Sequence, residues 1–118
     1  MTKRILVVDD QEAKGRLIKL NLEADGHSVT LMTDTDAALD AIDAGDTFDL
    51  YIVDVNMPAG VPHGLSFVRM LEFRRLAPMV IFMTGDPGLA AHPEFKGRTV
   101  LAKPIDFALL RRAVTAVP

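Results

Sequence analysis

The stretch Ile5–Asp10 reads ILVVDD, so a run of four apolar residues ends in two carboxylates. Continuous apolar runs of this length are typical of strands that are buried on both faces of a sheet. Largely apolar runs recur at 48–53, 79–83 and 100–102. A weaker segment at 28–31 alternates polar and apolar residues, as a half-exposed edge strand does. The sequence therefore predicts five strands.

Between these runs the apolar residues recur at the period of a helix. The stripes that indicate helices are, in chain order, Ala13-Leu17-Leu20-Ala24, Ala38-Ala41-Ile42 (within a helix predicted over 34–44), Leu65-Val68-Leu71 and Phe107-Leu110-Val114-Val117. Gly26 is placed to end the first helix, and Asp106 to cap the last one. This alternation predicts an α/β fold with a five-stranded parallel sheet in the order 2-1-3-4-5 and helices on both faces.

Composition restricts the function of the chain. With 118 residues, of which 49% are hydrophobic, residues 1–118 are expected to form one domain. The net charge of −3 argues against direct nucleic-acid binding. The absence of cysteine excludes disulfides, thiolate zinc sites and thiol nucleophiles. No stretch resembles a signal peptide or a transmembrane helix, so a cytoplasmic protein with no membrane contact is expected.

Polar residues follow the predicted strands. Asp9 and Asp10 follow the first apolar run, Asp54 the third, Thr84 the fourth and Lys103 the fifth. Since the carboxyl ends of parallel strands meet at one edge, these side chains should lie together. Three carboxylates repel one another unless a cation lies among them, and oxygen ligands suit Mg²⁺ or a similar ion.

These residue types also suit phosphoryl transfer. Mg²⁺ usually takes only one or two carboxylates and keeps other positions for water or phosphate oxygens. The Thr84 hydroxyl and the Lys103 ammonium can stabilise further phosphoryl oxygens. A carboxylate nucleophile, a cation, a hydroxyl and a lysine are sufficient groups for this chemistry.

The same motifs resemble those of the response-regulator receiver family of two-component signalling. They are Asp9-Asp10, DVNMP at 54–58, MTG at 83–85 and Lys103-Pro104, and together they span nearly the whole chain. The resemblance implies a flavodoxin-like fold, similar to chemotaxis regulators. It also implies a signalling domain rather than a turnover enzyme, with a sensor histidine kinase or phosphotransfer protein as its phosphodonor.

The resemblance also implies a role for each site residue. Asp54 would be the phosphoacceptor, and it would bind Mg²⁺ together with Asp10 and the backbone carbonyl of Asn56. Asp9 would help directly or through water. Thr84 would be the switch hydroxyl, and Lys103 would contact the phosphoryl group with a cis peptide bond to Pro104.

Three features depart from the family pattern. The loop at 59–63 is two residues longer than usual, and His63 stands where an acidic residue is common. Val100 occupies the usual aromatic switch position three residues before the lysine. The segment 86–97 contains Pro87, Gly88, Pro93 and Gly97, which predicts a short or irregular fourth helix.

Three other functions use similar residues or a similar sheet. A phosphatase with an aspartyl nucleophile would carry an Asp-x-Asp motif at the first strand, and this chain lacks that motif. A nucleotide or flavin module needs a glycine-rich loop after the first strand, where this chain has Asp9–Glu12. A receiver-like interaction module without phosphorylation remains an alternative, because Val100 and the altered loop distinguish this chain. Homodimerisation, the output target and the presence of a further domain stay open.

Overall fold

Five parallel strands form one sheet in the computed structural model, which describes residues 2–57, 63–86, 88, 93–95 and 97–118. The strands are β1 (Arg4–Val8), β2 (Ser28–Met32), β3 (Leu50–Asp54), β4 (Val80–Thr84) and β5 (Thr99–Ala102). Their order is β2-β1-β3-β4-β5, as predicted. The predicted edge strand is β2, which is less buried than β1, β3 and β4.

Four α-helices occur in the described part of the chain. They are α1 (Glu12–Ala24), α2 (Thr35–Asp43), α3 (His63–Phe73) and α4 (Phe107–Ala116). Asp106 caps α4, as predicted, since its carboxylate accepts hydrogen bonds from the N–H groups of Ala108 and Leu109. Gly26 follows α1 with a φ of 93°, a conformation that costs glycine little. None of these helices is long and apolar enough to cross a membrane.

The sheet divides the hydrophobic core into two clusters. The α2–α3 core contains Ala38 of α2 and Phe67, Val68 and Leu71 of α3, packed against alternate residues of the strands. The α1–α4 core contains Ile18 and Leu22 of α1 and Leu110 and Val114 of α4, packed against the opposite face. Both faces of the sheet are therefore covered, which explains the nearly continuous apolar runs of β1, β3 and β4.

The buried face of α1 differs from the stripe that predicted the helix. Leu17 and Leu20 are 52% and 57% exposed, and Ala13 and Ala24 are exposed as well. The residues that face the sheet are Gly15, Ile18 and Leu22. The prediction of a helix was thus correct, but the stripe that indicated it is not the face that packs on the sheet. Both stripes have helical spacing, and the sequence pattern does not rank them.

The segment between β4 and β5 is only partly described. It contains a short 3-10 helix, Pro93–Phe95, in the range where a short or irregular fourth helix was predicted. Phe95 is buried on Phe82 of β4, with 5.0 Å between the ring centroids. Residues 87, 89–92 and 96 lie outside the described residues, as does most of the longer loop predicted at 59–63.

Candidate functional site

Three carboxylates converge at the carboxyl end of the sheet, where the strand order predicts them. Asp9 and Asp10 follow β1, and Asp54 ends the neighbouring strand β3. One oxygen from each of the three carboxylates lies within 4.8 Å of the others. Asp9 and Asp54 are buried, whereas Asp10 is exposed. The cluster therefore consists of two buried carboxylates, those of Asp9 and Asp54, and one surface carboxylate, that of Asp10.

Local turns hold the two buried carboxylates in place. The N–H of Gln11 donates to Asp9 Oδ1 at 2.9 Å, and the N–H of Asn56 donates to Asp54 Oδ1 at 3.1 Å. Each contact spans two residues, which is the Asx-turn geometry that aspartate favours directly after a strand. The second of these turns fixes Asn56 beside Asp54.

Lys103 joins the two buried carboxylates from β5's end of the sheet. Its Nζ lies 2.9 Å from Asp54 Oδ2 and 3.3 Å from Asp9 Oδ2. The backbone N–H of Lys103 donates to the carbonyl of Thr84 at 2.8 Å, so the loop after β5 is tied to the end of β4. The Lys103-Pro104 peptide bond is cis, as the resemblance implied.

Burial and charge shift the pKa values of this group. Burial raises the pKa of Asp9, and the hydrogen bond from Gln11 and the charge of Lys103 offset only part of this rise. Burial alone would lower the pKa of Lys103, but its hydrogen bond to Asp54 and its attraction to Asp9 and Asp54 raise it overall. Lys103 therefore stays protonated and is the local cation among the carboxylates.

Thr84 is fully buried at the end of β4, and its hydroxyl is bound to the backbone of Asp86. The hydroxyl accepts a hydrogen bond from the N–H of Asp86 at 3.0 Å and donates to the carbonyl of Asp86 at 3.4 Å. The donated bond is the longer and weaker of the two. Thr84 thus lies at the same edge of the sheet as Asp54, but its hydroxyl is engaged with the loop that follows β4.

Gly64 is a site residue whose structural role the sequence did not reveal. Its N–H donates to the carbonyl of Val55 at 3.1 Å, which seats the first turn of α3 on the end of β3. A Cβ added at Gly64 would lie 2.3 Å from the carbonyl oxygen of Asp54. Only glycine permits this approach without displacing backbone atoms. The sequence pattern singles out only the neighbouring His63, which stands where an acidic residue is common in the family.

A known family matches this arrangement of strand-end residues. The model of the response regulator receiver domain matches residues 5–115, which is nearly the whole chain. The chain belongs to this family. It is therefore a receiver domain of the kind found in two-component response regulators.

Curated relatives of this receiver domain are longer proteins. Response regulator PleD of Caulobacter vibrioides is 35% identical over 115 residues, which cover 93% of this chain and 25% of PleD. Sensory/regulatory protein RpfC of Xanthomonas campestris pv. campestris is 32% identical over 114 residues, which cover 91% of this chain and 15% of RpfC. The chain thus spans a quarter or less of these two relatives.

Solved structures agree with the fold. Response regulator TrrA of Thermotoga maritima, solved in complex with Mg(2+)-BeF, has a TM-score of 0.84 and 26% identity, with 98% of this chain and 99% of that chain covered. The chemotaxis response regulator CheY4 of Vibrio cholerae has a TM-score of 0.80 and 27% identity, with both chains fully covered. The fold class predicted from the sequence is therefore confirmed.

The donor set of this receiver domain fits a hard divalent cation. Asp9, Asp10 and Asp54 offer only oxygen ligands, and these oxygens are close enough to share one ion. Of the three carboxylates only Asp10 is exposed to solvent. The residues of the site therefore fit a hard divalent cation by their chemistry.

Proposed function

We propose that this receiver domain accepts one phosphoryl group on Asp54 and changes its surface in response. The observation that carries the proposal is the pairing of the buried Asp54 carboxylate with Lys103 Nζ at 2.9 Å, inside a cluster of three carboxylates. A nucleophile and a cation for the phosphoryl oxygens are thus already adjacent. Phosphoryl transfer depends mainly on such positioning and charge stabilisation.

Asp10, Asp54 and the backbone carbonyl of Asn56 would hold Mg²⁺, with Asp9 as a direct or water-mediated ligand. Bound Mg²⁺ supplies positive charge that reduces repulsion between the carboxylates and an incoming phosphoryl group. The support for this assignment is the proximity of the carboxylate oxygens and the turn that holds Asn56 beside Asp54.

Lys103 and Thr84 would bind the phosphoryl oxygens after transfer. Lys103 needs only a small displacement, because its Nζ already contacts the acceptor carboxylate. Thr84 has to give up its contacts with Asp86, of which the donated one is long. Loss of these contacts would free the backbone of Asp86 to move, so phosphorylation would change the segment between β4 and β5. Since Val100 stands at the usual aromatic position, this backbone segment would carry the signal instead of a rotating aromatic ring.

The physiological donor would be a phosphohistidine on a sensor histidine kinase or a phosphotransfer protein. The relative RpfC is described as a sensory and regulatory protein, and PleD as a response regulator, which supports a place in a two-component phosphorelay. The domain would act as a stoichiometric signalling component rather than as a turnover enzyme.

The decisive experiment is intact mass spectrometry of the protein after incubation with acetyl phosphate, with and without Mg²⁺. We expect a single phosphoryl adduct that requires Mg²⁺ and is absent in Asp54→Asn. Asp46→Asn is the matched control, because Asp46 is an exposed aspartate outside the cluster. Continued release of inorganic phosphate from phosphomonoesters would favour the phosphatase alternative. Failure to form an adduct with either acetyl phosphate or a phosphohistidine protein would favour the interaction module.

A further inference from the structure

Large apolar side chains are exposed where α3 ends and the chain turns toward β4. Phe73 is 84% exposed, and Met70, Leu76 and Met79 are exposed as well. The other large apolar side chains exposed in the described part of the chain lie on α1 and α4, on the opposite face of the sheet. The four side chains at 70–79 are called here the α3-end patch. Exposed apolar clusters of this kind mark interaction sites.

The residue that ends α3 is an arginine in a conformation that favours glycine. Arg75 has a φ of 62°, which no other non-glycine residue of the described ranges matches with a positive value. Its N–H donates to the carbonyl of Glu72 at 2.9 Å, and the N–H of Leu76 donates to that of Leu71 at 3.2 Å, the Schellman pattern of a helix end. Glycine would form this turn with less strain. The turn thus keeps an exposed cation beside Phe73 despite the strain, which points to a use for that side chain.

The neighbouring helix α2 carries the opposite charge. Residues 20–68 contain nine Asp or Glu and no Lys or Arg, whereas residues 69–118 contain eight Lys or Arg and four Asp or Glu. Asp40 and Asp43 are exposed on α2 and lie one turn apart, so they face the same way. Asp43 accepts two hydrogen bonds from Arg74, at 2.7 and 2.9 Å, so this acidic side of α2 borders the end of α3. One surface therefore carries apolar, cationic and anionic groups side by side.

We propose that the α3-end patch is a contact between two copies of this domain, related by a two-fold axis. Phe73 of each copy packs on the patch of the other, and Arg75 of each faces Asp40 of the other. A surface that holds both members of a charge pair is complementary to itself, and a two-fold contact joins the same surface on both copies. The patch comprises fewer residues than the about 20–30 on each side of a standard interface, so the association is weak.

The contact leaves the carboxylate cluster accessible. α3 begins at Gly64, against the carbonyl of Asp54, and it ends near Met79, which precedes β4. The patch therefore lies at the edge of the sheet where the strands begin, opposite the edge that holds the cluster. Association through the patch is thus independent of the proposed phosphorylation of Asp54.

Sedimentation equilibrium at protein concentrations up to about 1 mM measures the association directly. We expect a reversible equilibrium between monomer and dimer. Phe73→Ala should raise the dissociation constant of the dimer by about tenfold, because it removes the central apolar side chain. Leu109→Ala is the matched control, since Leu109 is an exposed apolar residue of α4, and it should leave the constant unchanged. Circular dichroism checks that both variants fold.

An exchange of charges tests the pairing of Arg75 with Asp40. Arg75→Glu alone and Asp40→Arg alone should each weaken association by about tenfold, because each variant places like charges opposite one another. An equimolar mixture of the two variants should associate as tightly as wild type, since the mixed dimer again pairs opposite charges. Arg112→Glu, the same change of charge on the exposed side of α4, should have no effect.

Arg75→Gly separates the contact from folding. Glycine relieves the strain of the positive φ, so this variant should be at least as stable to urea as wild type while its dimer dissociates more readily. A wild type that stays monomeric at about 1 mM would overturn the proposal. So would equal effects of Phe73→Ala and Leu109→Ala, or a mixture of the two charge variants that associates no better than either alone.

Discussion

Replacement of Gly64 by alanine tests the contact that seats α3 on the end of β3. The added Cβ would lie 2.3 Å from the carbonyl oxygen of Asp54, whereas ordinary contacts begin at 3.4 Å. The helix and the strand must therefore separate by about 1 Å, as for an overpacked core, which typically costs about 1–3 kcal/mol. The separation also weakens the hydrogen bond from Gly64 to Val55, which contributes about 1 kcal/mol.

The higher helix propensity of alanine offsets part of this loss of stability, because alanine is a better helix former than glycine by up to about 1 kcal/mol. We therefore expect Gly64→Ala to lower the free energy of unfolding by about 2 kcal/mol, measured by urea denaturation. The proposed phosphorylation of Asp54 should slow as well, since the Asp54 backbone is displaced.

Gly85→Ala is the control for this prediction. Gly85 also lies at the carboxyl end of the sheet, but among the described residues no heavy atom beyond its chain neighbours lies within 4 Å of its added Cβ. A Gly64→Ala variant as stable and as reactive as Gly85→Ala would show that the approach of α3 to Asp54 does not constrain the site.

Three further predictions follow from the packing and charges. In urea titrations, Leu22→Ala should lower the free energy of unfolding by about 3 kcal/mol and Leu20→Ala by less than about 0.5 kcal/mol. The reason is that Leu22 is buried whereas Leu20 is exposed. Equal losses in the two variants would contradict the observed inward face of α1. His27 Nδ1 accepts the Lys3 N–H at 3.0 Å, and burial followed by the charge of Lys3 lowers its pKa from 6.5. The contribution of His27 to stability is thus present above pH 6.5 and is lost as the pH falls toward the lowered pKa. Between pH 6.5 and that pKa, the wild type should therefore lose stability relative to His27→Gln. Parallel curves of stability against pH for the two proteins would refute this. Mg²⁺ at a hundred times its Kd should stabilise the folded protein by about 2.7 kcal/mol and therefore raise the Tm in thermal unfolding. Asp10→Asn should reduce this rise in Tm. An equal rise in the variant would exclude Asp10 as a ligand.

Much of the fold follows from the sequence because strand ends are marked by charge. The apolar run at 5–8 stops at Asp9, and the run at 48–53 stops at Asp54, so strand order alone brings these residues to one edge. The reach of Lys103 to both carboxylates depends on the exact path of the loop after β5. That path is not encoded in any spacing, so only the neighbourhood could be predicted.

The inward face of α1 could not be predicted, because two stripes of the helix are apolar. Gly15 resolves this ambiguity in the structure. A Cβ added there would lie 2.6 Å from Leu31 Cδ1, so the helix packs closely on the sheet along the side that carries the glycine. Hydrophobic periodicity gives glycine little weight, although its small size allows this face of the helix to pack closely on the sheet. The burial of Phe95 on Phe82 is similarly invisible to periodicity, since it depends on a short 3-10 helix.

The division of the core by the sheet determines how mutations combine. The α1–α4 core and the α2–α3 core contain different buried side chains, so the effects on stability of one substitution in each core should add to within about 0.5 kcal/mol. The carboxyl edge is different, because Lys103 follows the end of β5 next to α4 while Gly64 belongs to α3, and both contact Asp54. Among the described residues, Asp54 is thus approached from both sides of the sheet, so a double-mutant cycle between Lys103 and Gly64 should give a larger interaction energy than a cycle between Leu22 and Leu71.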